Sequence, residues 1–190
     1  MTHTFADVFE KYCTLSPAVK SKINALATTL QGSKNDILLN QGQVCRHIFL
    51  ITQGAARMFY YHDGKEVTNE FFFDQDVVAD MQSLYAKKQS LFNIQLLEDC
   101  QLLSIKYSDL EQLYAEYHPI ETAGRLIAIE CFLEESERNR SFQMYTAKER
   151  YGQLIDRYPQ ILNRVSLGHI ASYIGVSQIQ LSRIRAQLVP

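Results

Sequence analysis

The sequence predicts an α+β fold: a β-roll, then a long helix, then a C-terminal helix-turn-helix. Three observations predict it. Short β-rich apolar runs, broken by turn residues, fill the chain from about residue 34 to about residue 105. A helical stretch runs from about Ile120 to Met144. The stretch Val165 to Leu188, VSLGHIASYIGVSQIQLSRIRAQL, then meets the demands of two packed helices position by position.

That last stretch carries the most information. Ala171 falls where two helices must cross closely. Gly175 falls at the turn, where the backbone needs φ > 0 and a Cβ would clash. Ile170, Ile174, Val176, Leu181 and Ile184 fall on the inward faces at helical spacing. Ser177 opens the second helix, and Gln180 three residues on completes an S-x-x-Q capping box.

The outward face of the second helix carries Gln178, Ile179, Ser182, Arg183 and Arg185. Arg can make a bidentate contact to guanine and Gln to adenine, so this face suits base edges in a DNA groove. Gln178, Ile179, Ser182 and Arg183 are the candidates for bases. Ser177 and Arg185 are the candidates for phosphates, and Gln180 lies beside them at the capped end.

The rest of the chain reads in order as follows. Residues 1 to about 31 are expected to be helical, in two pieces. Phe5, Val8, Phe9 and Tyr12 mark the first. Ser16-Pro17 starts the second, which continues through Ile23, Leu26, Ala27 and Leu30. Six to eight short strands follow, with Asp63-Gly64 as a hairpin signal and Gly42 and Gly54 at further turns. Ser108 and Glu111 suggest a capped helix that ends near Pro119. In the long helix Leu126, Ile129 and Leu133 share one side, with Ile120, Ile127 and Cys131 close by. That apolar surface is wide enough to face a second copy as well as the roll. Thr146 caps a further helix that stops at Pro159.

Composition narrows the function. An apolar fraction of 46% and a charged fraction of 21% are those of an ordinary globular chain. No run approaches the roughly 20 apolar residues of a membrane span, and no signal peptide core opens the chain, so the expected location is cytoplasmic. Cys13, Cys45, Cys100 and Cys131 are far apart and form no zinc spacing. No nucleophile–base set, phosphate loop or metal constellation stands out, so neither an enzyme nor a metal or other cofactor is expected. The net charge is −2, but it is unevenly spread. From Arg157 onward there are four arginines and no acid, which suggests a basic, DNA-facing end.

A helical arm, a roll punctuated by Gly42, Gly54 and Gly64, a long helix and the SRIRAQL recognition helix together resemble the cyclic-AMP receptor protein (CRP/FNR) family of transcription regulators. The resemblance covers nearly the whole chain. It implies a cyclic-nucleotide-binding-like sensor domain over residues 1–118, a dimerisation helix over 119–145 and a DNA-binding domain over 146–190. It implies a homodimer that meets double-stranded DNA, with RNA polymerase as a further partner. Ile120, Leu126, Ile127 and Cys131 would lie at the dimer interface, and Arg183 stands where the family commonly reads guanine.

The chain departs from the family at the nucleotide cassette. A Gly-Glu pair and an Arg followed by a small hydroxyl residue hold the cyclic nucleotide in the family. Here the corresponding positions are Ala79-Asp80 and Ser90-Leu91, with Met81 and Phe92 beside them; Lys87 and Lys88 lie in the intervening loop. A small-molecule effector in this pocket is therefore expected to be something other than cyclic AMP, or absent. No family β-hairpin wing follows the recognition helix before Pro190, so a wingless variant is expected. Cys13 alone cannot hold an iron–sulphur cluster, and Cys45 and His47 are weak candidates for haem ligands. An alternative stays open: a ligand-binding or interaction module whose helix-turn-helix no longer binds DNA.

Overall fold

The computed structural model describes residues 3–187. Two short helices open the chain, α1 (Phe5–Glu10) and α2 (Pro17–Ala25). Thr4 and Asp7 form a reciprocal capping box on α1. Ser16 caps α2, with Pro17 at its first position. The predicted second helix is shorter than expected. Helical spacing suggested continuation to Leu30, but Thr28–Gly32 is strand β1, paired with the strand Cys100–Lys106. Pairing with a distant strand outweighs the local pattern here.

Six further strands follow: β2 (Ile37–Leu39), β3 (His47–Gln53), β4 (Ala56–His62), β5 (Lys65–Phe72), β6 (Val77–Val78) and β7 (Asn93–Leu96). The strand Cys100–Lys106 is β8. They form two four-stranded antiparallel sheets, ordered β1-β8-β3-β6 and β2-β7-β4-β5. Asp63 and Gly64 both have φ > 0, at 48° and 72°, so the β4–β5 loop turns as the sequence predicts. Leu50, Ile51, Ile94, Leu96, Leu102 and Ile105 fill the roll.

Helix α3 (Met81–Ala86) lies between β6 and β7 in the chain, and α4 (Tyr107–Glu116) follows β8 directly. Ser108 does not cap α4. The helix already begins at Tyr107, and the Ser108 hydroxyl is 3.0 Å from Asp109 Oδ1. The long helix α5 (His118–Met144) starts two residues before the expected Ile120.

Four short helices complete the described residues: α6 (Ala147–Arg157), α7 (Ile161–Arg164), α8 (Leu167–Ile174) and α9 (Gln178–Ala186). Thr146 and Glu149 form the capping box at α6. Tyr151, Leu154, Ile161, Val165, Ile170, Ala171, Ile174 and Leu181 form a second core, and Ala55, Phe71, Phe73 and Leu97 of the roll join it. Strand β5 thus serves both cores. Phe72 points into the roll while its neighbour Phe71 packs on Tyr173, with ring centroids 5.1 Å apart. The terminal bihelical unit is seated on the outside of the roll by the alternation of one strand.

Candidate nucleic-acid interface

The turn between α8 and α9 is built as the sequence requires. Gly175 has φ 75°, and its N–H returns to the end of α8. A Cβ on Gly175 would stand 2.9 Å from the Phe142 ring, so position and backbone both favour glycine. Ser177 accepts the Gln180 N–H at 3.2 Å, and Gln180 Oε1 accepts the Ser177 N–H at 2.9 Å. This closes the capping box at the start of α9.

The two faces of α9 differ sharply. Leu181 is fully buried and Ile184 packs beside it. Gln178, Ile179, Gln180, Ser182 and Arg183 are exposed, as is Ser177 at the cap. Ile179 is 69% exposed, so most of an apolar side chain is left in water. Arg185 is half-buried. Among the described residues neither Arg183 nor Arg185 has a carboxylate partner. Leu188, the last residue of the predicted motif, lies outside the described residues.

The other two arginines of the basic C-terminal stretch do different work. Arg157 pairs with Glu134 of α5 at 3.0 Å. Arg164 donates to Asp74 at 2.7 Å and also pairs with Glu98. The run of unopposed basic charge in the sequence is therefore half neutralised by acids from the rest of the chain. Of the four arginines from Arg157 onward, only Arg183 and Arg185 have no carboxylate partner among the described residues.

Helix α8 meets the open edge of strand β5. The Ser172 hydroxyl accepts the Thr68 N–H at 2.9 Å and donates to the Glu66 carbonyl at 3.0 Å. Arg138 of α5 donates to the Thr68 carbonyl at 3.3 Å. The edge strand, which would otherwise offer bare backbone groups, is closed by side chains. Beside it Arg57 is almost wholly buried. Its guanidinium pairs with Glu66, donates to Gln95 at 2.9 Å and to His169 Nδ1 at 2.9 Å, and lies 4.1 Å from the Phe59 ring centre. Burial, then the Arg57 charge, holds the His169 imidazole below its ordinary value. Sequence reading found none of these groups, because no local pattern marks a lone Arg in a strand or a Ser inside a helix.

Several of the expected effector-pocket residues are engaged with their own chain. Asp80 is buried and caps α3, accepting the Ser83 N–H at 3.0 Å. The Ser90 hydroxyl is buried and accepts the Phe92 N–H at 3.0 Å, while the Ser90 backbone bonds to Gln43 and Gly42. Phe92 packs edge-on against Tyr60. Ala79 is buried, Met81 is half-buried and Leu91 is 64% exposed. Lys87 points outward toward Glu111 at 3.9 Å, and Lys88 is exposed.

The expected dimer residues divide. Ile120 has no exposed surface and sits in the roll core, so it is corrected: the first turns of α5 are anchored inside their own chain. Leu126 and Ile127 are half-buried, and Cys131 is exposed. The large exposed apolar groups on α5 are Ile129, Phe132, Leu133, Phe142 and Met144.

Residues 30–117, which include most of the roll, match the cyclic nucleotide-binding domain family. No curated protein sequence matches the chain. Solved structures extend the likeness past the roll. FixK2 from Bradyrhizobium japonicum superposes with a TM-score of 0.71 at 20% identity, over 85% of this chain and 84% of its own. The global regulator CLP of Xanthomonas campestris, described as responsive to c-di-GMP, gives 0.70 at 14% identity, over 91% of each chain. A crp/fnr-family transcriptional regulator from Eubacterium rectale gives 0.69 at 18% identity, over 90% of this chain and 82% of its own. The chain thus resembles the CRP/FNR regulators and shares their fold.

Proposed function

We propose that the chain is a cytoplasmic DNA-binding transcription regulator of the CRP/FNR type that acts as a homodimer. One observation carries the reading. Helix α9 is anchored by Leu181 and capped by Ser177, yet it turns Gln178, Ile179, Gln180, Ser182 and Arg183 to solvent. Those side chains match base edges and thymine methyl groups. Ser177 and Arg185 lie at its ends, within reach of phosphate.

Homodimerisation follows from α5. Ile129, Phe132 and Leu133 recur at helical spacing on its exposed length, with Phe132 68% and Leu133 59% exposed. A second copy is the natural cover for such a stripe. The two α9 helices would then enter successive major grooves about 34 Å apart. RNA polymerase is the further partner this reading brings.

Effector binding in the roll does not follow the cyclic-nucleotide pattern. The two side chains that stand in the cassette, Asp80 and Ser90, are already engaged with backbone, and the nearby lysines face outward. Any effector held there is neutral or weakly polar.

Titration of random-sequence duplex DNA at several salt concentrations tests the reading. Affinity should fall steeply and linearly on a log–log plot as phosphate contacts release counterions. A chain whose bihelical unit serves only as an interaction surface would show no such dependence.

A further inference from the structure

The C-terminal half of α5, α6 and α8 line an open-sided cavity of about 280 Å³, outside the roll. Phe142 and Tyr173 give it flat apolar walls, and three guanidinium groups reach it, from Arg138, Arg150 and Arg157.

Charge in the cavity is not balanced. Glu134 and Glu137 line it, but each already holds a cation. Glu134 pairs with Arg157 at 3.0 Å, and Glu137 pairs with Arg140 at 3.1 Å. Arg150 donates only to backbone carbonyls, to Ile174 at 3.0 Å and to Tyr145 at 2.6 Å. Arg138 donates one Nη2–H to Thr68, while its Nη1 is buried with no hydrogen-bond partner. Neither Arg138 nor Arg150 has a carboxylate within 4.0 Å among the described residues. Glu70 faces the same cluster; burial pushes its carboxyl up to about 7, while the Arg138 charge pulls the other way.

A buried guanidinium N–H without an acceptor is costly, and an anion would remove that cost. The aromatic rings sit against the same groups. The Arg138 guanidinium lies 4.2 Å from the Tyr173 ring centre, and the Arg150 guanidinium lies 4.7 Å from that of Phe142.

We propose that this cavity binds a small aromatic carboxylate, its head at Arg138 and Arg150 and its ring against the exposed part of the Phe142 wall, since the Arg138 guanidinium itself lies between Phe142 and Tyr173, 5.5 Å and 4.2 Å from their ring centres. A carboxylate matches the guanidinium fork, and a flat ring matches that wall. The cavity lies at the low end of small-molecule site volumes, which suits one or two fused rings. Bound there, the ligand would hold α5 against α6 and α8, so it acts on the joint between the long helix and the bihelical unit. The site does not depend on whether α9 reads DNA.

Calorimetry on the full chain tests this with 1-naphthoate and its neutral counterpart 1-naphthamide. Naphthoate should bind roughly tenfold more tightly or better than the amide, and Arg138→Gln should lose at least that factor. Because Arg138 also supports β5, a second variant separates ligand binding from folding. Gln153 lines the cavity from an exposed position on α6. Gln153→Glu should weaken naphthoate by a similar factor while leaving the unfolding midpoint unchanged. No binding of naphthoate, equal affinity for the amide, or unchanged affinity in both variants overturns the proposal.

Discussion

The Ser172 hydroxyl accepts the backbone N–H of Thr68, 104 residues earlier in the chain, at 2.9 Å. Thr68 is fully buried, so no water can replace that acceptor. The bond ties α8 to the edge of the roll and fixes where the α8–α9 pair stands. Ser172→Ala would leave the amide unsatisfied, at a cost of about 1–3 kcal/mol. Denaturant unfolding should show that loss, and hydrogen exchange should show a faster Thr68 amide while β3 and β8 keep their protection.

The same joint responds to acid. Arg57 can donate to His169 Nδ1 only while the ring is neutral, and burial, then Arg57, keeps the folded ring below its ordinary value. Above the ordinary histidine value of about 6.5, folded and unfolded chains are both neutral here and the group contributes no pH dependence. Below it the unfolded ring takes up a proton that the docked ring resists. Stability is therefore lost as pH falls through about 6.5 toward the folded value. Comparing unfolding free energies at pH 7.5 and 5.5 should show a component of that loss that is missing in His169→Gln. An identical pH dependence in both proteins would rule the joint out as its source.

Much of this arrangement was legible in the sequence, and the reasons are local. Gly175, Ala171 and the Ser177–Gln180 pair act within a few residues of themselves, so their roles survive without knowledge of the fold. Asp63-Gly64 is similar, since two successive positive φ values are needed wherever that turn occurs. Thr28–Gly32 was not legible. Its apolar spacing suits a helix, and only the partner strand 72 residues later, read from Leu30↔Leu102, makes it β1. The seating of α8 on β5 was hidden for the same reason. Arg57 and Ser172 carry no mark that distinguishes them from exposed polar residues until a distant element covers them. Ile120 failed differently: its apolar character was read correctly, but the roll rather than a second copy covers it.

Assembly gives a third test. Light scattering at micromolar concentration should give the mass of two chains. Phe132→Glu, on the exposed stripe of α5, should give one, because a carboxylate would be buried without a partner in the paired form. The fold of each chain should be unchanged, since Phe132 is mostly exposed and belongs to neither core. A monomeric parent protein would remove α5 as a pairing surface.

The roll supplies a fourth. Cyclic AMP buried beside Ser90 and Leu91 would find no cation, because Lys87 and Lys88 are turned outward. Calorimetry should show binding no tighter than about millimolar, roughly −4 kcal/mol. Micromolar binding that vanishes in a Lys87→Ala, Lys88→Ala double variant would mean that those lysines swing inward to take the phosphate.

If α9 reads DNA through its exposed face, Arg183 is the side chain on which that reading depends most. From a random duplex library, sites bound by the parent protein should be selected, and the affinities of Arg183→Ala and Arg185→Ala should be measured on the selected site and on unrelated DNA. Arg183→Ala should lose about 1–3 kcal/mol on the selected site and relax preference at one base pair in each half-site. Arg185→Ala should weaken all sequences alike. Selected-site affinity equal to the parent's in Arg183→Ala would show that α9 does not read bases through Arg183.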